Sequence, residues 1–211
     1  MNQTGKKKYA MVIDTSKCYD CKACMIACKV ENNVPNDFWR NWVKHTGRIS
    51  GMRTQFQPGG CMQCDAPSCV EACPVGATYK GKDGLVEINP SRCIGCGNCV
   101  TACPYDARYL DPLKHIADKC DFCWHRLLRG EEPACVATCP TKARVFGDLN
   151  DPRSRVSELA EREKLVRVVC PSINTEPNIY YFAGTEPLNW PVVPTLPGNV
   201  HMPPGFWKYS G

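Results

Sequence analysis

Four tight runs of cysteine constrain what this 211-residue chain can fold around. Sixteen of its seventeen cysteines lie in them: Cys18, Cys21, Cys24 and Cys28; Cys61, Cys64, Cys69 and Cys73; Cys93, Cys96, Cys99 and Cys103; and Cys120, Cys123, Cys135 and Cys139. Blocks one and three read C-x-x-C-x-x-C-x-x-x-C, the ligand run of a cubane [4Fe–4S] cluster. Two-residue spacers let the backbone curl so that three thiolates reach one cluster, while the fourth cysteine points toward a different one. The spacing predicts four [4Fe–4S] clusters with these sixteen cysteines as iron ligands. Structural zinc uses two separated pairs per ion instead of four thiols in one run. A disulfide framework suits a short secreted chain with an even cysteine count, and thiols this close in sequence are awkward to bridge.

In two-cluster ferredoxins such runs work in pairs, each lending its last cysteine to its partner's cluster. Blocks two and three form the natural inner pair, because both end in Cys-Pro (Cys73-Pro74, Cys103-Pro104) with only a hairpin-like stretch between them. Blocks one and four are then left to pair across that insertion, with Cys139-Pro140 as matching punctuation; Cys28 is followed by Lys29 and departs from the pattern. The expected ligand sets are Cys18, Cys21, Cys24 and Cys139; Cys120, Cys123, Cys135 and Cys28; Cys61, Cys64, Cys69 and Cys103; and Cys93, Cys96, Cys99 and Cys73. The longer gaps, Cys64 to Cys69 and Cys123 to Cys135, are loop insertions between ligands. The expected fold class is α+β: two ferredoxin-like 2[4Fe–4S] domains of short strands and helices, plus an extended C-terminal arm. Residues 1–57 with 110–168 form the outer domain, 58–109 the inner one, and 169–211 the arm.

The formal charge of +5 suggests nucleic acid only if the cysteines count as neutral. Each oxidised cube with four thiolates carries about −2, so four would bring the holoprotein to about −3. The excess Lys and Arg reads as compensation for buried anionic clusters, and the Lys6–Lys8 run as a solvated terminus. No apolar stretch approaches the roughly 18 residues that span a bilayer, and Met1–Ala10 lacks a signal-like hydrophobic region. Cluster binding is expected to supply much of the folding free energy.

Tyr9–Asp14 reads as a strand entering block one, Met25–Glu31 as a short helix, and 35–60 as an insertion whose Phe38, Trp39, Trp42 and Phe56 pack over the clusters. Lys82-Asp83-Gly84 before Leu85–Ile88 is a turn followed by a strand. Pro67–Cys73 and Gly97–Cys103 are expected as helical turns carrying the last cysteines of their blocks. Asp121–Arg129 is also expected to be helical, and Ala143–Phe146 a closing strand. Ser154–Lys164 should be a surface helix, with Val156 and Leu159 inward and Glu158, Glu161 and Arg162 outward. Eight of eighteen prolines and seven aromatics fall within 171–211. That composition excludes long helices and suggests an arm laid on a partner, with a tail folded back on its own domain as the alternative. Cys170 is left over as a spare thiol, and His45, His115, His125 and His201 lack metal-ligand spacing. No phosphate-cradling loop or nucleophile context is legible, so no catalytic site is expected in this chain.

The run Asp14–Glu31, the stretch Cys99-Val100-Thr101-Ala102-Cys103-Pro104-Tyr105-Asp106-Ala107-Arg108, and the residues from Lys119-Cys120 to Cys139-Pro140-Thr141 resemble one family. It is that of the four-cluster electron-transfer subunits of dimethyl sulfoxide reductase-type molybdopterin oxidoreductases, including the polysulfide and thiosulfate reductases. The likeness covers about Tyr9 to Asp148. Some relatives replace a block-three cysteine by tryptophan and hold a three-iron cluster; Cys96 is present here, which implies four cubanes. The resemblance implies a molybdenum or tungsten bis-pterin catalytic partner and an integral membrane subunit that handles quinone. It also implies a place on the periplasmic face of the cytoplasmic membrane by co-export with the catalytic partner, the cytoplasmic side being the alternative. A polyferredoxin subunit of a hydrogenase or formate dehydrogenase would use the same blocks, and a zinc-binding interaction module would be colourless and free of acid-labile sulfide.

Overall fold

Strand β1, Tyr9–Asp14, forms where the apolar run predicts it and is buried over all but its first residue. It lies inside a four-stranded sheet of order β8 (Arg144–Asp148), β1, β10 (Ile179–Phe182), β9 (Val166–Arg167). The computed structural model describes residues 7–45, 56–168 and 173–182. β8 runs antiparallel to β1 with Tyr9 opposite Asp148 and Ile13 opposite Arg144. β10 runs parallel to β1 from Met11↔Ile179 to Asp14↔Phe182, and β9 closes the edge.

Side chains alternate across a strand, and here the two faces serve different purposes. Val12 points to helix α6 (Arg155–Arg162), where it packs with Val156, Leu159 and Phe182. Met11 and Ile13 point the other way, into a core shared with Cys24, Cys135, Phe122, Trp42 and Tyr181. That core also takes in Cys61, Met62, Leu85, Tyr105 and Ala107, so inner and outer blocks are packed around one interior. On α6 the apolar spacing holds: Val156 and Leu159 are buried while Glu161 and Arg162 are exposed.

Helix α1 (Ala23–Glu31) carries Cys24 and Cys28 and ends at Asn32, whose side chain caps the Cys28 carbonyl. The 35–60 insertion is more regular than its aromatics suggest, because β2 (Asn41–His45) and β3 (Phe56–Gly60) pair antiparallel. Trp42 lies across Gly59, where a Cβ would come within 2.5 Å of the indole nitrogen; only glycine leaves room for the ring. Trp42 is buried and Trp39 and Phe56 pack against the same core, while Phe38 stacks on Tyr109.

The remaining blocks sit on four-residue helices and short hairpins. α2 (Ser68–Glu71) packs on α3 (Asn98–Thr101), and β4 (Thr78–Lys80) pairs with β5 (Val86–Ile88). A second hairpin, β6 (Arg108–Leu110) with β7 (Ala117–Lys119), leads into block four. There α4 (Trp124–Leu127) is followed by α5 (Ala134–Ala137), which packs on α1. The helices of blocks two and three end at Glu71 and Thr101, so Cys73 and Cys103 fall just beyond them, each amide bonded back to Val70 or Val100.

Part of the stretch expected to leave the fold as an arm is instead built into the sheet. Ile179, Tyr181 and Phe182 are buried β-formers, and their burial against β1 outweighs the proline-rich context. Just before them, Asp65 and Ala66 donate to the Glu176 and Thr175 carbonyls and Asn178 donates to Met62, which ties the segment onto block two. Cys170, His201 and the rest of the expected arm, from 183 onward, lie outside the described residues.

Candidate metal centres

A cysteine run can direct several thiols to one centre only if the chain turns tightly between them. Left-handed residues do this in every block: Asp20 and Lys22, Gln63, Gly95 and Gly97, and Phe122 and Cys123 all have positive φ. Non-glycine residues pay roughly 1–2 kcal/mol each for that conformation. At Gly95 the demand is steric as well, because a Cβ there would meet the His115 carbonyl oxygen at 2.4 Å.

Two cavities show what the turns achieve. One is lined by Cys28 together with Cys120, Cys123 and Cys135, and the other by Cys18, Cys21 and Cys24 together with Cys139. Both take thiols from chain positions more than ninety residues apart, and Arg144 contributes to both walls. In the inner blocks Cys103 is close enough to feel the charges of Cys61 and Cys69, as Cys64 is. Cys69 and Cys99 pack together, with Cys93 beside them. Cys73 lies against its own following turn, accepting from Ala77 N at 3.2 Å and Thr78 N at 3.5 Å.

The environment suits sulfur anions that arrive with metal. Burial, reinforced by neighbouring thiols, pushes Cys28 and Cys103 up to about 12 and Cys135 up to about 11. Burial likewise raises Cys64 to about 12 and holds Cys120 well above the usual thiol range. Free thiols here resist ionising, so metal binding must displace protons. At Cys73 and Cys139 burial works the same way, but the following backbone amides outweigh it and hold both below the usual value. Further donors reach sulfur from Ala117 N to Cys93 (3.5 Å), Phe122 N to Cys120 (3.4 Å) and Asn32 Nδ2 to Cys28 (3.6 Å). Two exposed cysteines, Cys21 and Cys96, stand apart from the otherwise buried or half-buried set.

Among the described residues no group of His, Cys, Asp or Glu converges tightly enough to hold a single metal ion. Thiols ringing a cavity fit a polynuclear cluster better than a mononuclear one. The orphaned guanidinium N–H groups of Arg108 and Arg144 are consistent with this: both are buried against cysteines and need a negative partner. His45 and His125 are surface hydrogen-bonding residues, facing Asp20 at 2.6 Å and Glu31 at 2.7 Å. The charge count leads one to expect cations set against buried sulfur but not which ones; the repeat Cys-Pro-x-x-Ala that precedes Arg108 and Arg144 is the signal that marks them.

No helix among the described residues is long and apolar enough to cross a membrane. Residues 52–149 match the model of the 4Fe-4S dicluster domain. The sequence is 41% identical over 179 residues to the B polypeptide of polysulfide reductase from Wolinella succinogenes, covering 82% of this chain and 93% of that one. It is 47% identical over 178 residues to the B subunit of tetrathionate reductase from Archaeoglobus fulgidus, covering 84% and 83%. It is also 37% identical over 209 residues to the putative dimethyl sulfoxide reductase iron–sulfur B subunit of Halobacterium salinarum, covering 83% and 79%. With thiol-ringed cavities, a ferredoxin-like α+β frame and this likeness over most of its length, the protein belongs to the family of iron–sulfur electron-transfer B subunits of polysulfide-, tetrathionate- and dimethyl sulfoxide-reductase-type complexes.

Proposed function

We propose that the chain holds four [4Fe–4S] clusters in two ferredoxin-like units, blocks one with four and two with three, through the crossed ligand sets given by the cysteine spacing. It relays single electrons between a molybdenum or tungsten bis-pterin catalytic subunit and a quinone-linked membrane subunit, and has no catalytic site of its own. The observation that carries this reading is the pair of cavities in which Cys28 joins block four and Cys139 joins block one. When bound, each cubane supplies a site that accepts and releases one electron.

The chain's own residues hold that site and exclude water from it. Met11, Ile13, Phe122 and Tyr181 cover the thiols on the sheet side. The backbone amides of Ala77, Ala117 and Phe122 donate to the sulfurs of Cys73, Cys93 and Cys120 and stabilise added negative charge there. Fixed donors in a buried setting lose little to reorganisation when charge arrives.

The periplasmic face of the membrane is the proposed location, through export together with the catalytic subunit. Iron and sulfide analysis of the purified complex should give about sixteen irons in this chain, with pterin present in the large partner. A complex without pterin would favour the hydrogenase or formate dehydrogenase polyferredoxin reading. Recovery of the complex only from the cytoplasm would defeat the assigned face.

A further inference from the structure

Five residues after the last cysteine of block three stands Arg108, and five after that of block four stands Arg144. Both follow the pattern Cys-Pro-x-x-Ala, and both open a strand, β6 or β8. Arg108 is 5% exposed and Arg144 3%. Arg108 donates from Nη1 to Thr78 Oγ1 at 3.2 Å, yet its Nε and Nη2 have no partner. Arg144 donates from Nη1 to Met11 Sδ at 3.4 Å, and its Nη2 has none. Thr78 occupies the same offset after Cys73, so the third copy of the repeat carries no charge and meets the arginine of the second.

Such groups would be poor packing elements. A buried guanidinium with unsatisfied N–H groups is costly, and an apolar residue of similar volume would be tolerated better. What lies around each arginine is sulfur. Arg144 lines both outer cavities and interacts with Cys24 and Cys135, while Arg108 interacts with Cys69, Cys61, Cys99 and Cys103. Each cation therefore stands against cysteines of two different ligand sets.

We infer that Arg144 and Arg108 are positioning charges that set the reduction potentials of the metal centres in pairs, Arg144 for the outer two and Arg108 for the inner two. The inference rests on the ligand sets proposed above. Adding one electron makes a centre one unit more negative, and a fixed positive charge in a dry interior favours that state. The arginines take no proton and form no bond in the step. The outer pair gives the cleaner case, because the other cations that line its cavities, Arg40 and Lys22, are already paired, with Asp118 at 2.7 Å and Asp20 at 2.6 Å. On the inner side Lys119 faces Arg108 across the hairpin and adds a second buried cation.

The test is a reductive titration of the full complex with dithionite, followed by EPR, in Arg144→Met, Arg144→Lys and Arg108→Met, with signals assigned through Cys139→Ser. In Arg144→Met the reduction constants of the two outer centres should fall at least tenfold, which is about 59 mV each for one electron, while the inner two move less than threefold. Arg144→Lys should stay within threefold of wild type, and Arg108→Met should shift the inner pair instead, less steeply because Lys119 remains. Full iron content with unmoved outer potentials in Arg144→Met would overturn the inference, as would equal shifts in all four centres. If Arg144→Met loses iron, retention in Arg144→Lys still supports a need for charge, and loss there too would make the arginine a packing element and overturn it. Iron and sulfide in the wild type report separately on the number of centres, and the signal lost in Cys139→Ser on the ligand sets.

Discussion

Asn178→Ala should loosen the closure over block two, and the structure sets the size of the effect. Asn178 is 1% exposed, and its Nδ2 donates to the Gln63 carbonyl and to Asp65 Oδ1, both at 2.9 Å. Removing the side chain forfeits two hydrogen bonds, worth about 1 kcal/mol each net. It also strands the carbonyl of Gln63, a fully buried residue, at about 1 kcal/mol more. Against this, Asn178 Oδ1 has no partner, so its loss returns about 1 kcal/mol. The balance is about 2 kcal/mol, or roughly a 30-fold rise in the open population. Hydrogen exchange by mass spectrometry on a peptide covering 62–66 reads this directly, since the Asp65 and Ala66 amides are bonded to Glu176 and Thr175 carbonyls. Their exchange should accelerate by about that factor with peptides from β8 unchanged. Acceleration below threefold would show that the 173–178 segment does not depend on Asn178 and would refute the reasoning.

Three further outcomes are expected. Cys139→Ser should remove the block-one EPR signal while largely sparing that of block four, and Cys28→Ser should do the reverse; an intact block-one signal in the first would exclude the crossover. Burial works to raise the Asp65 carboxyl, but Lys8, Asn178 and Lys80 together hold it at about 2, against an ordinary 3.8. Its contribution is therefore complete above 3.8 and lost as pH falls toward 2, so wild type should outlast Asp65→Asn in cluster retention under urea by the same margin at every neutral or mildly acidic pH above that window, and a margin that shrinks well above 3.8 would refute this. Gly95→Ala should cost the block-three centre, about four irons per chain, because the new Cβ meets the His115 carbonyl. Gly130→Ala, with φ of +73° but nothing within 4 Å, should keep its iron and lose only about 1 kcal/mol.

Much of this fold is legible where a pattern has one physical cause. β1, the inward face of α6 and the Lys82–Gly84 turn follow from burial periodicity and turn chemistry, and their bounds in the structure differ by a residue or two. The β6–β7 hairpin is not legible, since Arg108-Tyr109-Leu110 and Ala117-Asp118-Lys119 carry charged residues that no strand pattern would place in an interior. Arg108 and Lys119 are nevertheless buried there, because the charge they answer is supplied by sulfur and not by any residue class a periodicity reading counts. β10 is hidden for a different reason: its four residues sit in a proline-rich stretch, and only pairing with a strand over 160 residues earlier makes them structural. Spacing alone could raise the meeting of Cys28 with block four as an expectation, but not the cation shared by the two cavities.

The position of β1 bears on how this protein is made. Among the described strands it is translated first, yet both of its neighbours, β8 and β10, come from residues beyond 143. A ribosome must therefore release nearly all of the described residues before Ala10–Ile13 finds any backbone partner. Until then an apolar segment with free strand edges is exposed, the kind of template on which polypeptides aggregate. The block-one cysteines likewise meet Cys139 only late in synthesis, and a holding factor that shields this strand would raise the yield of folded protein.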